Sequence, residues 1–265
     1  MKLLYIGDIM GRPGRQTVKK ILPALIQEHG IDFVVAQGEN LSAGKGLQVK
    51  AVEDMLESGI NFFTGGDWTL HREEIYPWLE DPKKPVIRPA NYPEGTPGRG
   101  YKIADTPFGK ILIASLLGQT VGYRQPENLQ NPLTTIDRIL DETKTEKLIA
   151  RLVNFHGDYS SEKLVIGQYL DGRVSAVIGD HWHVPTADAQ VFPRGTAHIT
   201  DVGMVGSLES SLGVKTDVIV HRWLTGQRSK NELETAGKMQ FCALLIEIDT
   251  ANGQAKAVTQ ILKFV

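Results

Sequence analysis

The sequence predicts a two-sheet α/β sandwich. The first third alternates short apolar runs with helical periodicity, the βαβα signature of a sheet covered by helices. The second half repeats that order and closes in extended segments suited to mixed or antiparallel pairing. At 265 residues the chain exceeds the usual domain, but α/β sandwiches of this length fold around one large core, so residues 1–265 are read as a single domain.

Residues 3–6 read as the first strand. Val18, Ile21, Leu22 and Leu25 then recur at helical spacing, with Gly30 as the terminator and Pro23 predicting a kink or a break. Residues 33–36 form the next strand, Val49, Val52 and Leu56 mark a helix closing at Gly59, and residues 61–64 give a third strand. Residues 81–100, dense in Pro, Gly and Arg, predict a long ordered loop that serves function or an oligomer contact. Residues 101–103 and 111–116 flank a turn as a hairpin does, and a second loop runs to Pro132. Leu133, Ile136, Ile139 and Leu140 form a helical stripe before a strand at 148–153, a helix at 161–169 and a strand at 174–178. Segments 197–200, 240–248 and 256–262 complete the extended elements, and no internal repeat is visible.

Composition excludes several classes. Apolar residues make up 41% and charged residues 23%, which is ordinary for a globular chain. A net charge of -2 without a dense basic run argues against stable binding to duplex nucleic acid and leaves small phosphate esters or nucleotides open as substrates. No apolar stretch approaches the ~20 residues that span a bilayer, so no membrane partner is expected. The single cysteine, Cys242, sits in an apolar run and reads as a buried structural thiol. The first residues enter a strand without a charged region and an apolar leader, and the expected compartment is the cytoplasm.

Five short segments carry the chemistry: Gly7-Asp8, Gly38-Glu39-Asn40, Gly65-Gly66-Asp67, Phe155-His156-Gly157 and Gly179-Asp180-His181-Trp182-His183. Each sets a carboxylate, amide or imidazole beside a glycine at the end of an apolar run. Asp8, Glu39 and Asp67 each follow a predicted strand, and ligands of open α/β sheets gather at the carboxyl ends of strands. Three carboxylates brought together repel one another unless cations neutralise them. Mixed His and carboxylate donors suit Fe, Mn, Zn, Ni or Co better than Ca or Mg. A centre of two divalent or trivalent metal ions is therefore expected.

Together with Ile6 to Arg15, the 88–98 loop, Ser161-Glu162-Lys163, Asp171-Gly172-Arg173, His183 to Asp188, Gly195-Thr196-Ala197 and Thr200 to Met204, these segments resemble the bacterial YmdB-like metallophosphoesterases of the calcineurin-like superfamily, over nearly the whole chain. The resemblance implies the calcineurin-like α/β sandwich. It implies that Asp8, Asn40 and His183 hold one metal, that His156, His181 and Asp67 hold the other, and that Glu39 bridges them. It implies phosphodiester hydrolysis, cyclic nucleotides included, by a bridging hydroxide, and a homo-oligomer built through the long loops; aryl esters stay open as substrates because a phenolate leaves without an acid.

The chain departs from the family pattern at one catalytic position. The family's third motif reads Gly-Asn-His, its histidine protonating the leaving oxygen, whereas this chain reads Gly66-Asp67-Trp68. Trp68 cannot donate that proton, and general acid catalysis contributes about 10²- to 10⁴-fold. Changes at residues 157–160 and 180–182 leave Trp68, Tyr159 and Trp182 as aromatics for stacking a base or an aryl group, or simply for filling space. Asp180 reads as a partner orienting an imidazole or as a turn residue. His71, if its loop turns back, and His198 are the candidate substitute acids; Arg12 and Arg99 hold phosphate or form surface ion pairs. The competing reading is a metal-binding pseudoenzyme or regulatory protein with little turnover.

Overall fold

The computed structural model describes residues 1–122 and 126–265. In chain order its elements are β1 (Lys2–Ile6), β2 (Asp8–Ile9), α1 (Gly11–His29), β3 (Phe33–Gln37), α2 (Val49–Leu56), β4 (Phe62–Thr64), α3 (Tyr76–Glu80), β5 (Tyr101–Thr106), β6 (Gly109–Leu117) and α4 (Pro132–Glu142). They continue with β7 (Leu148–His156), α5 (Ser160–Tyr169), β8 (Ala176–Asp180), β9 (Gln190–Val191), β10 (Ala197–Ile199), β11 (Met204–Ser207), α6 (Thr216–Thr225), β12 (Met239–Ile248) and β13 (Ala255–Phe264).

One sheet runs β2-β11-β12-β1-β3-β4, with β13 also paired to β12, and the other runs β5-β6-β7-β8-β10-β9. Side-chain alternation along each strand sorts residues to opposite faces. Leu3 and Tyr5 of β1 face the second sheet and pack with Ile111, Ile113, Leu152 and Ile178. Leu4 and Ile6 face the other way, onto Val18, Leu22 and Leu25 of α1 and Val52 and Met55 of α2. Leu112, Val153 and Val177 cover the second sheet's outer face beneath Ile136 and Ile139 of α4 and Ile166 of α5. The result is the predicted sandwich, layered helix, sheet, sheet, helix.

Strands β1, β3 and β4 are mutually parallel, as are β6, β7, β8 and β10. Their carboxyl ends therefore deliver Asp8, Glu39 and Asp67 from one sheet and His156, His181 and His183 from the other to a common rim. The long loop is fixed by Arg88, whose guanidinium donates to the carbonyls of Pro89, Thr96 and Pro97 at 2.7, 3.0 and 3.0 Å. Asn91 ties the same loop to β6 by donating to and accepting from Leu117 at 2.8 Å.

Of the kink or break expected at Pro23, the break does not occur: helix α1 runs through it from Gly11 to His29. Pro23 lies on the exposed face, so the carbonyl left without a helical partner can turn to water. Sequence periodicity does not reveal α6, because none of its residues is buried and no apolar stripe anchors it. The loop expected before Pro132 includes residues 123–125, which lie outside the described residues.

Ile246 of β12 is fully buried between the sheets and pairs with Leu3, at the end of β1 remote from the rim. Ile246→Ala should cost about 2–5 kcal/mol of stability, seen as a lower urea midpoint with metal uptake unchanged.

Candidate metal centre

At the rim, donor atoms of Glu39, Asp67, His156 and His181 lie within 4.8 Å of one another. His156 Nε2 stands 3.3 Å from both the Glu39 and the Asp67 carboxylates and 2.9 Å from His181 Nδ1. Beside this group, His183 Nε2 lies 3.8 Å from Asp8 Oδ1. Asp8 Oδ1 and the Asn40 side-chain oxygen are buried and, among the described residues, accept no hydrogen bond. Buried oxygens without a hydrogen-bond donor, one of them beside an imidazole nitrogen, fit a cation position.

Each imidazole has one nitrogen committed elsewhere. His156 Nδ1 is 2.7 Å from Asp180 Oδ1, His181 Nε2 is 2.9 Å from Asp158 Oδ1, and His183 Nδ1 is 3.1 Å from the Leu212 carbonyl. Acceptors at those nitrogens fix the tautomers and turn the opposite lone pairs to the cluster, the arrangement that orients metal-binding histidines. Asp180 is itself saturated, for its Oδ2 accepts from Tyr5, Gln37 and Asn154 at 2.8, 3.0 and 2.6 Å. The donor chemistry thus fits the divalent or trivalent cations expected from the sequence.

The electrostatics agree. Burial, followed by the Asp180 carboxylate, pushes the Asp8 carboxyl well up. Burial also raises Glu39, opposed by His156 and reinforced by Asp67. Burial by itself would lower His156, but Glu39, Asp180 and Asp67 outweigh it and hold its imidazole well above the usual range. Burial lowers His181 and His183 to about 4, so both are neutral donors at neutral pH. Asp180 is lowered despite burial because the hydrogen bond from His156 favours its carboxylate form. Burial that disfavours the charged forms of Asp8 and Glu39 is what a bound cation would offset.

Backbone geometry holds this packing. A Cβ on Gly66 would collide with Glu39 Oε2 and lie 2.5 Å from His156 Nε2, so only glycine lets the chain pass the cluster. His181 and His183 adopt φ of 104° and 63°, a left-handed backbone that non-glycine residues hold where function over-determines them.

A cleft of about 400 Å³ opens over the cluster, bordered by Glu39, Asn40, His181 and His183 and walled by Trp68, Lys45, Leu212 and Trp223. The Lys45 ammonium lies 4.7 Å from the Trp68 ring centroid, and Arg72 Nε donates to the Lys45 carbonyl at 3.0 Å. His71 is exposed and stands edge-on to Trp68 at 5.2 Å. The cleft wall includes neither Trp182, whose indole N–H donates to the Asp158 carbonyl at 2.9 Å, nor Tyr159, which is 55% exposed at the start of α5. His198 does not reach the rim: it is buried, stacked on Phe192 at 4.9 Å, with Nδ1 3.1 Å from the Val177 carbonyl, because β10 turns it toward the helices. Arg12 borders a separate surface hollow with Arg15 and Lys19, and Arg99 donates to the Glu80 carbonyl at 3.1 Å. Sequence reasoning assigns no role to Lys45, Asp158, Tyr5, Gln37 or Asn154; Asp158 alone carried a signal, as a changed residue two places after a donor histidine.

Comparison with known proteins gives a consistent picture. A family model described as YmdB-like protein matches residues 4–261. The chain is 36% identical to a 2',3'-cyclic-nucleotide 2'-phosphodiesterase of Bacillus subtilis (strain 168), over 99% of this chain and 97% of that protein. Its fold superposes on a hypothetical protein from Thermus thermophilus with a TM-score of 0.90 at 35% identity, covering 100% and 99% of the two chains. A phosphatase from Mycoplasma pneumoniae gives 0.91 at 28% identity, covering 100% and 93%. Sandwich, rim and donor set together define a metal-dependent hydrolase of the metallophosphoesterase class. Within that class the chain belongs to the YmdB-like family.

Asp180→Asn should keep the fold and weaken metal binding about 10- to 100-fold, measured by metal titration of the chelator-treated protein. Chelation should also lower the melting temperature; returning metal to ~100 times its dissociation constant should restore about 2.7 kcal/mol of stability, followed by thermal melts at each metal concentration.

Proposed function

We propose that the protein hydrolyses phosphodiesters of small nucleotides or aryl alcohols at this rim. The observation that carries the reading is the tautomer-fixed trio of His156, His181 and His183 turned on buried carboxylates. His156, His181 and Asp67 are assigned to one cation, Asp8, Asn40 and His183 to the other, with Glu39 between them; their identity falls among Fe, Mn, Zn and Ni. Bound cations supply Lewis acidity and neutralise phosphoryl charge when water attacks. The kinship to a cyclic-nucleotide phosphodiesterase supports a nucleotide substrate.

The chain's own residues set the range of leaving groups. Trp68 closes the position of the family's acid with an indole whose N–H is a donor but not an acid at neutral pH. Its face carries Lys45, so the cleft offers the departing oxygen a positive charge and an aromatic wall in place of a proton. Phenolates depart without protonation; alkoxides do not. Aryl and other activated esters are therefore the better substrates, and Trp68 contributes stacking for them. Trp223 and Leu224 of α6, exposed by 85% and 82%, support a homo-oligomer.

Trp68 also favours the second reading, a metal-binding regulator with little turnover. Elemental analysis with assays on bis(p-nitrophenyl) phosphate and 2',3'-cyclic nucleotides under Mn, Fe, Ni and Zn separates the two. Two metals with aryl ester turnover are expected; two metals without turnover select the regulator, and no bound metal sinks both. Trp68→His should raise alkyl ester turnover toward the about 10²- to 10⁴-fold that an acid contributes, with aryl esters little changed. No rise at full metal occupancy would refute the account of the lost acid.

A further inference from the structure

Lys163 of α5 and Asp201 are both fully buried and form an ion pair at 2.8 Å behind the donor cluster. Neither belongs to the set of donor atoms that converge at the rim. Lys163 Nζ also donates to the Asp180 carbonyl at 2.7 Å and lies 4.0 Å from the Trp182 ring centroid. Asp201 Oδ2 accepts from the Trp182 N–H at 2.9 Å, and Oδ1 accepts from the Gly203 N–H at 2.9 Å. The Gly203 carbonyl in turn accepts from the Asp8 N–H at 3.1 Å. One charge pair thus grips the residues on either side of His181, the residue before His183, and the turn on which Asp8 rests.

A buried ion pair seldom stabilises a fold better than apolar residues of the same size, since desolvation offsets its attraction. Its use here lies in conformation. His181 and His183 have φ of 104° and 63°, which the chain does not hold unaided. Between them Trp182 is secured at its backbone N–H by Asp201, at its indole N–H by the Asp158 carbonyl and across its face by Lys163. Removing the pair releases the residue on which both left-handed histidines pivot.

We infer that Lys163 and Asp201 are positioning residues that lock His181 and His183 in their metal-binding conformation and tie that loop to Asp8, setting the affinity of both cation positions. The inference rests on the assignment of these histidines as metal donors.

The test is cobalt(II) binding to the full chain, followed by titration calorimetry and by the visible absorption of the bound ion, whose bands report donor geometry. Lys163→Met with Asp201→Asn removes both charges; Ile246→Ala serves as a destabilised control remote from the rim. The double variant should remain folded by circular dichroism, bind cobalt about 10- to 100-fold more weakly and show altered bands, while the control keeps the wild-type affinity and spectrum. Should the double variant not fold, Lys163→Gln, which keeps a donor for the Asp180 carbonyl, is read the same way. Wild-type affinity and spectrum in the folded variant, or an equal loss in the control, would overturn the inference. A wild-type protein that takes up no cobalt would instead remove the donor assignment on which it rests.

Discussion

Mutual repulsion among buried carboxylates is the constraint to which the rest of the structure answers. Asp8, Glu39, Asp67, Asp180 and Asp201 are all buried near the rim where the two sheets meet. Two of them are engaged behind the cluster: Asp180 is saturated by four side chains, and Asp201 is paired with Lys163. Asp8, Glu39 and Asp67 are left facing the cluster, and Asp8 and Glu39 are pushed toward protonation. The protein neutralises the outer carboxylates of the cluster with its own groups and leaves the inner ones short of positive charge. That division separates the carboxylates that organise the cluster from those that line it.

Rigidity is supplied at the same rim by several layers of contact. Tyr5, Gln37 and Asn154 come from strands of both sheets and meet at one Asp180 oxygen, so the sandwich interface and the orientation of His156 form one network. Glycine at 66 lets the backbone pass within contact of Glu39 and His156, and a Cβ on Gly179 would strike the Thr200 carbonyl, which keeps β8 and β10 close where His181 leaves the sheet. Precision of this kind requires hydrogen-bonded polar groups in a dry setting, where a half-satisfied network would cost more than an apolar core.

Much of this was legible in the sequence, and for physical reasons. Strands buried on both faces read as apolar runs, and the glycine-flanked polar residue at the end of each run announced Asp8, Glu39, Asp67, His156, His181 and His183. What was hidden depended on distance along the chain. Lys163 stands in a segment shared with the family but shows no role until α5 packs against the sheet, and Asn154 is a polar residue within an apolar strand. His198 illustrates the converse: a histidine close in sequence to the site motifs faces the helices because strand alternation places it there. Helix α6 left no trace because it buries nothing.

At position 68 the backbone and the side chain do separate work. In Trp68 the backbone N–H still donates to Glu39 Oε2 at 3.0 Å, so the residue keeps a structural duty that any side chain can perform. Only the side-chain function differs. An imidazole there would stand beside Lys45, and a neighbouring ammonium disfavours its protonated form, whereas an indole welcomes the cation on its face. At this position the indole therefore holds Lys45 against the cleft wall. The convergent donor cluster and its orienting hydrogen bonds are left in place around Trp68, and the difference is confined to a side chain on the cleft wall.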